Sequence, residues 1–254
     1  MTPVSDGELA ARQHASHVAF YEAMSTRVER VGGVRAAVTP SVPDRSLPNA
    51  VLYEDPADVV AALPELVALY AGAGVRAWTV WVHPGDAALA DALAAAGHAH
   101  DGQPMGMGAA LAELDLAPRR DLDVEPVADW WLFGELNDRA YGITGLAEVL
   151  GAFRSEGARG WVASVAGAPA CCVTVLPHAG DAYVCLVATV PEHRGRGLCS
   201  ELMRHALRVA RDEDGCTTTT LEGSPMGEPV YDHMGYRSLG RFGLWERRVR
   251  NDSA

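Results

Sequence analysis

Apolar residues recur at helical spacing over residues 198–212. Leu198, Cys199, Leu202, Met203, Ala206, Leu207 and Ala210 fall on one face, and Glu201, Arg204, Arg208 and Asp212 on the other. The spacing predicts an amphipathic helix packed on a sheet. Upstream, residues 182–190 are apolar at eight of nine positions, the pattern of a strand covered on both sides. Downstream, Asp214-Gly215 ends the helix, and Cys216-Thr217-Thr218-Thr219-Thr220-Leu221 is β-branched enough to be the next strand. The order is strand, helix, strand. Around it the pattern predicts helices over 130–141 and 146–154 and a hairpin of 160–165 with 170–176 about Gly167-Ala168-Pro169. A short helix over 229–234 is stopped by Gly235, and two closing strands follow within 236–249 around Gly240 or Gly243. The second half reads as a complete α/β unit.

The first half repeats the later part of this order. A helix over 57–71 stops at Gly74, a strand over 76–82 follows, an alanine-rich helix ends at Gly97, and residues 98–111 are extended. Gly74 parallels Gly215, and Gly97-His98 parallels Gly235-Tyr236. The glycines lie 23 residues apart in the first half and 20 in the second, consistent with two copies of one architecture. The segment 113–123, with Pro118-Arg119-Arg120, is the expected link, which places the domains at 1–118 and 119–254.

The chain has 254 residues, 48% of them hydrophobic, enough for one large domain or two small ones. No apolar run approaches the roughly 20 residues that span a bilayer. The start, Met1-Thr2-Pro3-Val4-Ser5-Asp6, has neither the basic nor the apolar region of a secretory signal, so a cytoplasmic protein without a membrane partner is expected. The five cysteines show no disulfide or zinc spacing, and no metal is expected; His14 and His17 share a helix face without a third ligand. A net charge of −12 repels phosphate backbones, which argues against nucleic acid as a partner. All 21 basic residues are arginine, and lysine is absent.

The candidate chemistry sits between the apolar strand and the amphipathic helix. In Thr189-Val190-Pro191-Glu192-His193-Arg194-Gly195-Arg196-Gly197-Leu198-Cys199-Ser200 a glycine-broken basic turn becomes a helix start. Glycines let backbone N–H groups point at an anion, and the helix start adds unpaired donors and the positive end of a dipole. This is a phosphate cradle. The first-half helix is instead entered through Glu54-Asp55-Pro56-Ala57-Asp58, whose acids repel an anion, and Leu93 stands where the second half has Tyr231. The amino-terminal copy is expected to be inert. Gly195-x-Gly197-x-x-Ser200 is a damaged dinucleotide fingerprint, but only 54 residues follow Ser200, too few for a doubly wound sheet. A P-loop is excluded because there is no lysine.

Together the run Arg194-Gly195-Arg196-Gly197-Leu198-Cys199, the flanking strands and helix, and Tyr231-Asp232-His233-Met234-Gly235-Tyr236 resemble the GCN5-related N-acetyltransferases. That family's pattern is Gln or Arg, two residues, Gly, one residue, then Gly or Ala. Arg194, Gly197 and Cys199 stand at those places, the cysteine departing from it. The match spans roughly 122–249 and is only architectural before that. The resemblance implies an α/β fold with a mixed, mostly antiparallel central sheet and flanking helices, in tandem with a degenerate amino-terminal copy. It implies acetyl-CoA as co-substrate. Backbone groups of Val187, Ala188 and Thr189 would pair with the pantetheine arm, and the amides from Gly195 through Arg196, Gly197, Leu198 and Cys199 to Ser200 would hold the pyrophosphate. Arg194 and Arg196 would add charge-assisted bonds. Tyr231 is the implied acid for the departing thiolate.

The base is read from position. Glu222 lies just past the threonine-rich strand, where its side chain could look into the cleft, with Glu135, Asp138 and Tyr141 as further acceptor-side candidates. Trp130-Trp131 either cap the core or line an acceptor pocket, and a helix start would lower the thiol pKa of Cys199. With no nucleophile constellation in view, direct attack by an amine in a ternary complex is expected. A small-molecule amine is the preferred acceptor. The alternatives are a protein amino terminus or lysine, or a non-catalytic acyl-CoA-binding regulator; a homodimer is compatible with all of them.

Overall fold

The computed structural model describes residues 3–127, 129–151 and 157–249. The first elements are α1 (Asp6–Met24), β1 (Arg27–Val31), β2 (Val34–Val38), β3 (Ala50–Leu52), α2 (Pro56–Gly72) and β4 (Ala77–Val82). Then come α3 (Ala87–Ala95), β5 (Ala99–Gly102), β6 (Met105–Ala110), β7 (Asp123–Pro126), α4 (Trp130–Tyr141) and α5 (Leu146–Gly151). The rest are β8 (Arg159–Val165), β9 (Ala168–His178), β10 (Asp181–Thr189), α6 (Leu198–Asp212), β11 (Thr218–Gly223), α7 (Glu228–Met234), β12 (Arg237–Arg241) and β13 (Gly243–Arg248). Of the helix expected over 146–154, residues 146–151 are helical, and residues 152–154 lie outside the described residues. Among the described residues no helix is long and apolar enough to cross a membrane.

Two compact units result, and neither is one stretch of chain. One holds the residues up to Phe20 with Met105–Leu239; the other holds Tyr21–Pro104 with the residues from Gly240 on. The division expected at 118/119 therefore does not describe them. The cause is strand placement. The extended run 98–111 breaks at Gln103-Pro104, so β5 joins a six-stranded sheet of order β1-β2-β3-β4-β13-β5 while β6 joins a seven-stranded sheet of order β12-β6-β11-β10-β9-β8-β7. The two closing strands part in the same way. β12 lies beside β6, whereas β13 pairs antiparallel with β4 from Gly243↔Val82 to Arg248↔Ala77. Both sheets are mixed and mostly antiparallel, with β3–β4 and β10–β11 as parallel pairs.

In the seven-stranded unit the hairpin of β8 and β9 turns on Ala166 and Gly167, both with positive φ, one residue earlier than expected. Its strands sort the helices. Trp161 meets His205 of α6 at 5.9 Å between ring centroids, so α6 covers that face. Neighbouring Gly160 points the other way and backs onto Phe133 of α4. Gly160 pairs with Thr174 and Thr174 with Cys185, so Tyr183 and Asp181 of β10 also look toward the α4 side. There α1 covers them. Ser16 donates to the Asp181 carboxylate at 2.9 Å, and Gln13 donates to the Leu221 carbonyl at 2.6 Å. Thr218 and Thr220 also donate to Asp181, which is 1% exposed.

In the six-stranded unit α2 buries Val59, Leu66 and Tyr70 against a core that includes Val34, Val51, Trp78 and Val80. Tyr70 stacks on Trp78 at 4.8 Å.

Candidate active site

The site begins as a failure of strand pairing. β10 and β11 run parallel only through Asp181↔Thr218, Ala182↔Thr219 and Tyr183↔Thr220. Beyond Tyr183, β10 bulges. Its register against β9 jumps between Cys185 and Ala188, with Leu186 at φ 51°. The strand turns away from β11 there, and a cavity of about 260 Å³ opens at the divergence. It is lined by residues 187–189 of β10, the turn 193–200, Ala140 and Tyr141 of α4, and Ser224, Val230 and Tyr231.

The turn forms the cradle its glycines predict. Gly195 and Gly197 have φ 70° and 71°, the left-handed region that side chains resist, and α6 starts at Gly197 without a side-chain cap. The Gly197 carbonyl accepts from the Glu201 N–H at 3.2 Å. The amides of Leu198, Cys199 and Ser200 are thus the first-turn donors for which a helix supplies no acceptor, and they border the cavity. Arg194 does something other than expected. Its guanidinium turns inward, donating to the carbonyls of Thr189 and Ala140, and ties the end of β10 to the end of α4. Besides Arg196 in the turn itself, positive charge beside it comes from Arg120, which donates to the Arg196 carbonyl at 2.5 Å; a Cβ on Gly197 would lie 2.9 Å from its guanidinium.

Arg120 belongs to the segment read as a link, which is a strap bound to α6. The Arg119 N–H donates to Glu201 at 2.9 Å, while Arg204 and Arg208 donate to the carbonyls of Asp115 and Leu116 at 3.1 and 2.6 Å. The polar face of α6 is covered at its first two turns, where Glu201 and Arg204 are buried as a 3.3 Å pair, while Asp212 stays exposed.

Tyr231 is buried in the wall of the cavity, its ring against Gly223 and Gly227, where a Cβ would come within 3.1 and 3.0 Å of it. Burial pushes its phenol well above the ordinary 10.0, and the neighbouring Cys199, Tyr141 and Tyr236 add to the effect. It carries its proton at neutral pH. Tyr141 donates its hydroxyl to the Val187 carbonyl at 3.2 Å, so that carbonyl already has a partner. The Cys199 thiol is raised well above 9.0, through its hydrogen bond with Cys171 and through burial, so the lowering expected from the helix start does not occur.

Glu222 is not part of the cavity lining. It sits on the α4 side of the sheet beneath α1, where Tyr183 donates to one carboxylate oxygen and His17 Nδ1 lies 3.2 Å from the other. Cradle and Tyr231 are brought together; Glu222 lies one residue before Gly223, on the opposite face of the strand from Gly223.

Residues 124–236 match the family model described as the acetyltransferase (GNAT) family. This part of the chain is a GNAT-family acetyltransferase domain. No curated protein matches the chain. Among solved structures, a GCN5-related N-acetyltransferase from Kribbella flavida is similar over 100% of this chain and 99% of that one, at 16% identity and a TM-score of 0.70. One from Sphaerobacter thermophilus is similar over 98% and 95%, at 15% identity and a TM-score of 0.61. A tandem GNAT protein from the clavulanic acid biosynthesis pathway is similar over 87% and 80%, at 19% identity and a TM-score of 0.57. At these identities the likeness is one of fold.

Against the GNAT domain, the six-stranded unit lacks the cradle. The helix start of α2 is filled by its own cap, Asp55, which accepts from the Ala57 N–H at 2.9 Å. The gap past the parallel strands is closed by Tyr53, whose hydroxyl accepts from the His83 N–H at 2.8 Å and donates to Asp86 at 2.6 Å. Leu93 is fully buried in the core.

Sequence reasoning missed the roles of Arg120 and Tyr183. Arg120 stands in a polar, proline-containing segment indistinguishable from a linker, and Tyr183 in a strand that reads as uniformly apolar. His17 was visible only as one of two histidines on a helix.

Proposed function

We propose that the GNAT domain transfers acetyl from acetyl-CoA to the amine of a small molecule by direct attack in a ternary complex. The observation that carries this reading is the uncapped start of α6 behind two left-handed glycines, opening onto a cavity where two parallel strands part. These residues fit the co-substrate. The amides of Gly195, Arg196, Gly197, Leu198, Cys199 and Ser200 would hold the pyrophosphate, and Arg120 and Arg196 would add positive charge at its edge. The strand residues Val187, Ala188 and Thr189 would align the pantetheine arm. Pairing with the Val187 carbonyl requires the Tyr141 hydroxyl to give way. Bound acetyl-CoA supplies a thioester that a neutral amine attacks.

The chain's own groups supply the rest. Backbone N–H groups on the bulged strand polarise the acyl oxygen as charge develops there. Tyr231, protonated and facing the cavity, donates a hydrogen bond to the departing sulfur; its raised pKa makes full proton transfer uphill, so its share is stabilisation of the thiolate as much as delivery of the proton. Glu222, which does not line the cavity, would take the proton of the acceptor ammonium through water. The six-stranded unit, with its capped helix and filled gap, is inert toward acyl-CoA.

Thiol release from acetyl-CoA across a panel of small amines, amino sugars and peptide amino termini tests the reading. Release with a small amine, and its loss in Tyr231→Phe with donor binding retained, is the expected result. Donor binding without release by any acceptor would replace it with an acyl-CoA-binding regulator.

A further inference from the structure

We propose that His17 and Tyr183 are positioning residues that hold the Glu222 carboxylate in one orientation, so that a helix preceding the six-stranded unit completes the GNAT domain's proton-accepting group. The inference rests on Glu222 being the base, as proposed above. The argument is one of donor balance. A phenol has one proton, and Tyr183 commits it to Glu222 Oε2. His17 Nδ1 lies 3.0 Å from the Tyr183 oxygen, and that contact is a hydrogen bond only if Nδ1 carries the hydrogen. The same nitrogen is 3.2 Å from Glu222 Oε1. Tyr183 thus donates to one carboxylate oxygen and is itself held by His17 Nδ1–H, which is spent on that contact and only lies near the other oxygen.

Packing fixes the group. The side chains of His17 and Glu222 are 6% and 7% exposed, the His17 ring meets Tyr183 edge-on, and Phe20 leans on Tyr183 at 5.7 Å. On β10, the Cys185 thiol is pushed well up by burial and by the Glu222 charge, and Asp181 is engaged by Ser16, Thr218 and Thr220. On α1, Arg12 reaches Thr217 and Thr218 and acts on Asp181. Opposite Glu222 on β6 stands Gly106, without a side chain.

The test is the pH dependence of kcat/KM for thiol release, measured on the full chain with acetyl-CoA and the best amine of the panel. The variants are His17→Ala, His17→Asn, Tyr183→Phe and Glu222→Gln. Loss of either side chain is expected to move the acidic limb of the profile and to lower kcat about 10-fold at pH 7, with KM for acetyl-CoA unchanged. His17→Asn, whose amide nitrogen can stand in for Nδ1–H, restores the limb, and Glu222→Gln abolishes it. An unmoved limb in His17→Ala and Tyr183→Phe, whatever happens to kcat, overturns the positioning role while leaving acetyl transfer intact. A limb retained in Glu222→Gln overturns it as well. No thiol release from the unaltered protein with any amine removes the acetyltransferase reading, and the proposal with it.

Discussion

Gly197→Ala is the sharpest perturbation of the cradle. Gly197 has φ 71° and ψ 14°, and an L-residue held there costs about 1–2 kcal/mol. The new methyl would also press on the Arg120 guanidinium, 2.9 Å away, though that flexible end can yield. Relief comes from rotating the residue out of the left-handed region, which swings the neighbouring amides off the anion. A ligand that needs those amides must restore the strained form, so the strain reappears in its affinity as roughly a 5–30-fold weaker Kd for coenzyme A. Gly215 supplies the control. Its φ is 68° with nothing within 4 Å of an added Cβ, and it lies at the far end of α6 from the cradle. Gly215→Ala should lower the melting temperature through the same backbone strain yet leave Kd unchanged. Isothermal calorimetry with coenzyme A, beside thermal melts of both variants, reads the two effects separately. Equal affinity of Gly197→Ala and the unaltered protein would refute the cradle, and so would equal weakening by Gly215→Ala.

Further outcomes follow from the same geometry. Tyr231→Phe should lower kcat about 100-fold with coenzyme A affinity retained in calorimetry; an unchanged kcat removes its role. Arg120→Ala should raise KM for acetyl-CoA about 5-fold, the modest effect of an exposed charge, and the difference should shrink in high salt; a salt-independent loss points to damage to the strap instead. His98, buried beside Trp78, has its pKa lowered to about 4 by burial and by Arg247. The native state keeps it neutral while the unfolded chain protonates near 6.5, so its contribution is fully present above pH 6.5 and falls as pH drops toward 4. The loss reaches about 3 kcal/mol. Urea unfolding of His98→Leu at pH 7 and pH 4.5 should show a shallower pH dependence than the unaltered protein, and parallel curves would contradict the assignment.

What could be read from the residues was whatever depends on near neighbours. The period of α6, the glycine turn before it and the tyrosine helix after it are local, and each forms as read. The misreadings come from groups whose partners lie far along the chain. Arg194 looks like a phosphate ligand until the ends of β10 and α4 present it with two carbonyls. Glu201 and Arg204 look solvated until the strap arrives some 80 to 90 residues away to cover them. Nothing in the alternation of residues 98–111 marks which half joins which sheet, because the deciding partners of β6 are residues 218–223.

That last pairing decides what supports the open cleft. β10 accompanies β11 for three positions and leaves, whereas β6 stays with β11 for six, from Thr218↔Ala110 to Gly223↔Met105. Among the described residues, the stretch carrying Leu221, Glu222 and Gly223 is therefore held in its sheet by β6 alone. A fragment of residues 119–254, the division that sequence symmetry suggests, lacks that strand and also lacks α1. It would expose both edges of β11 beyond Thr220, uncover Thr218, Thr219 and Thr220, all fully buried in the whole chain, and take Ser16 from Asp181. A buried carboxylate that loses a donor costs about 1–3 kcal/mol, and the unpaired strand invites association between fragments. Such a fragment should aggregate or melt without cooperativity and should not bind coenzyme A. If it instead unfolds in one sharp transition and binds with the affinity of the full chain, β6 and α1 are dispensable and the cleft is supported from within residues 119–254.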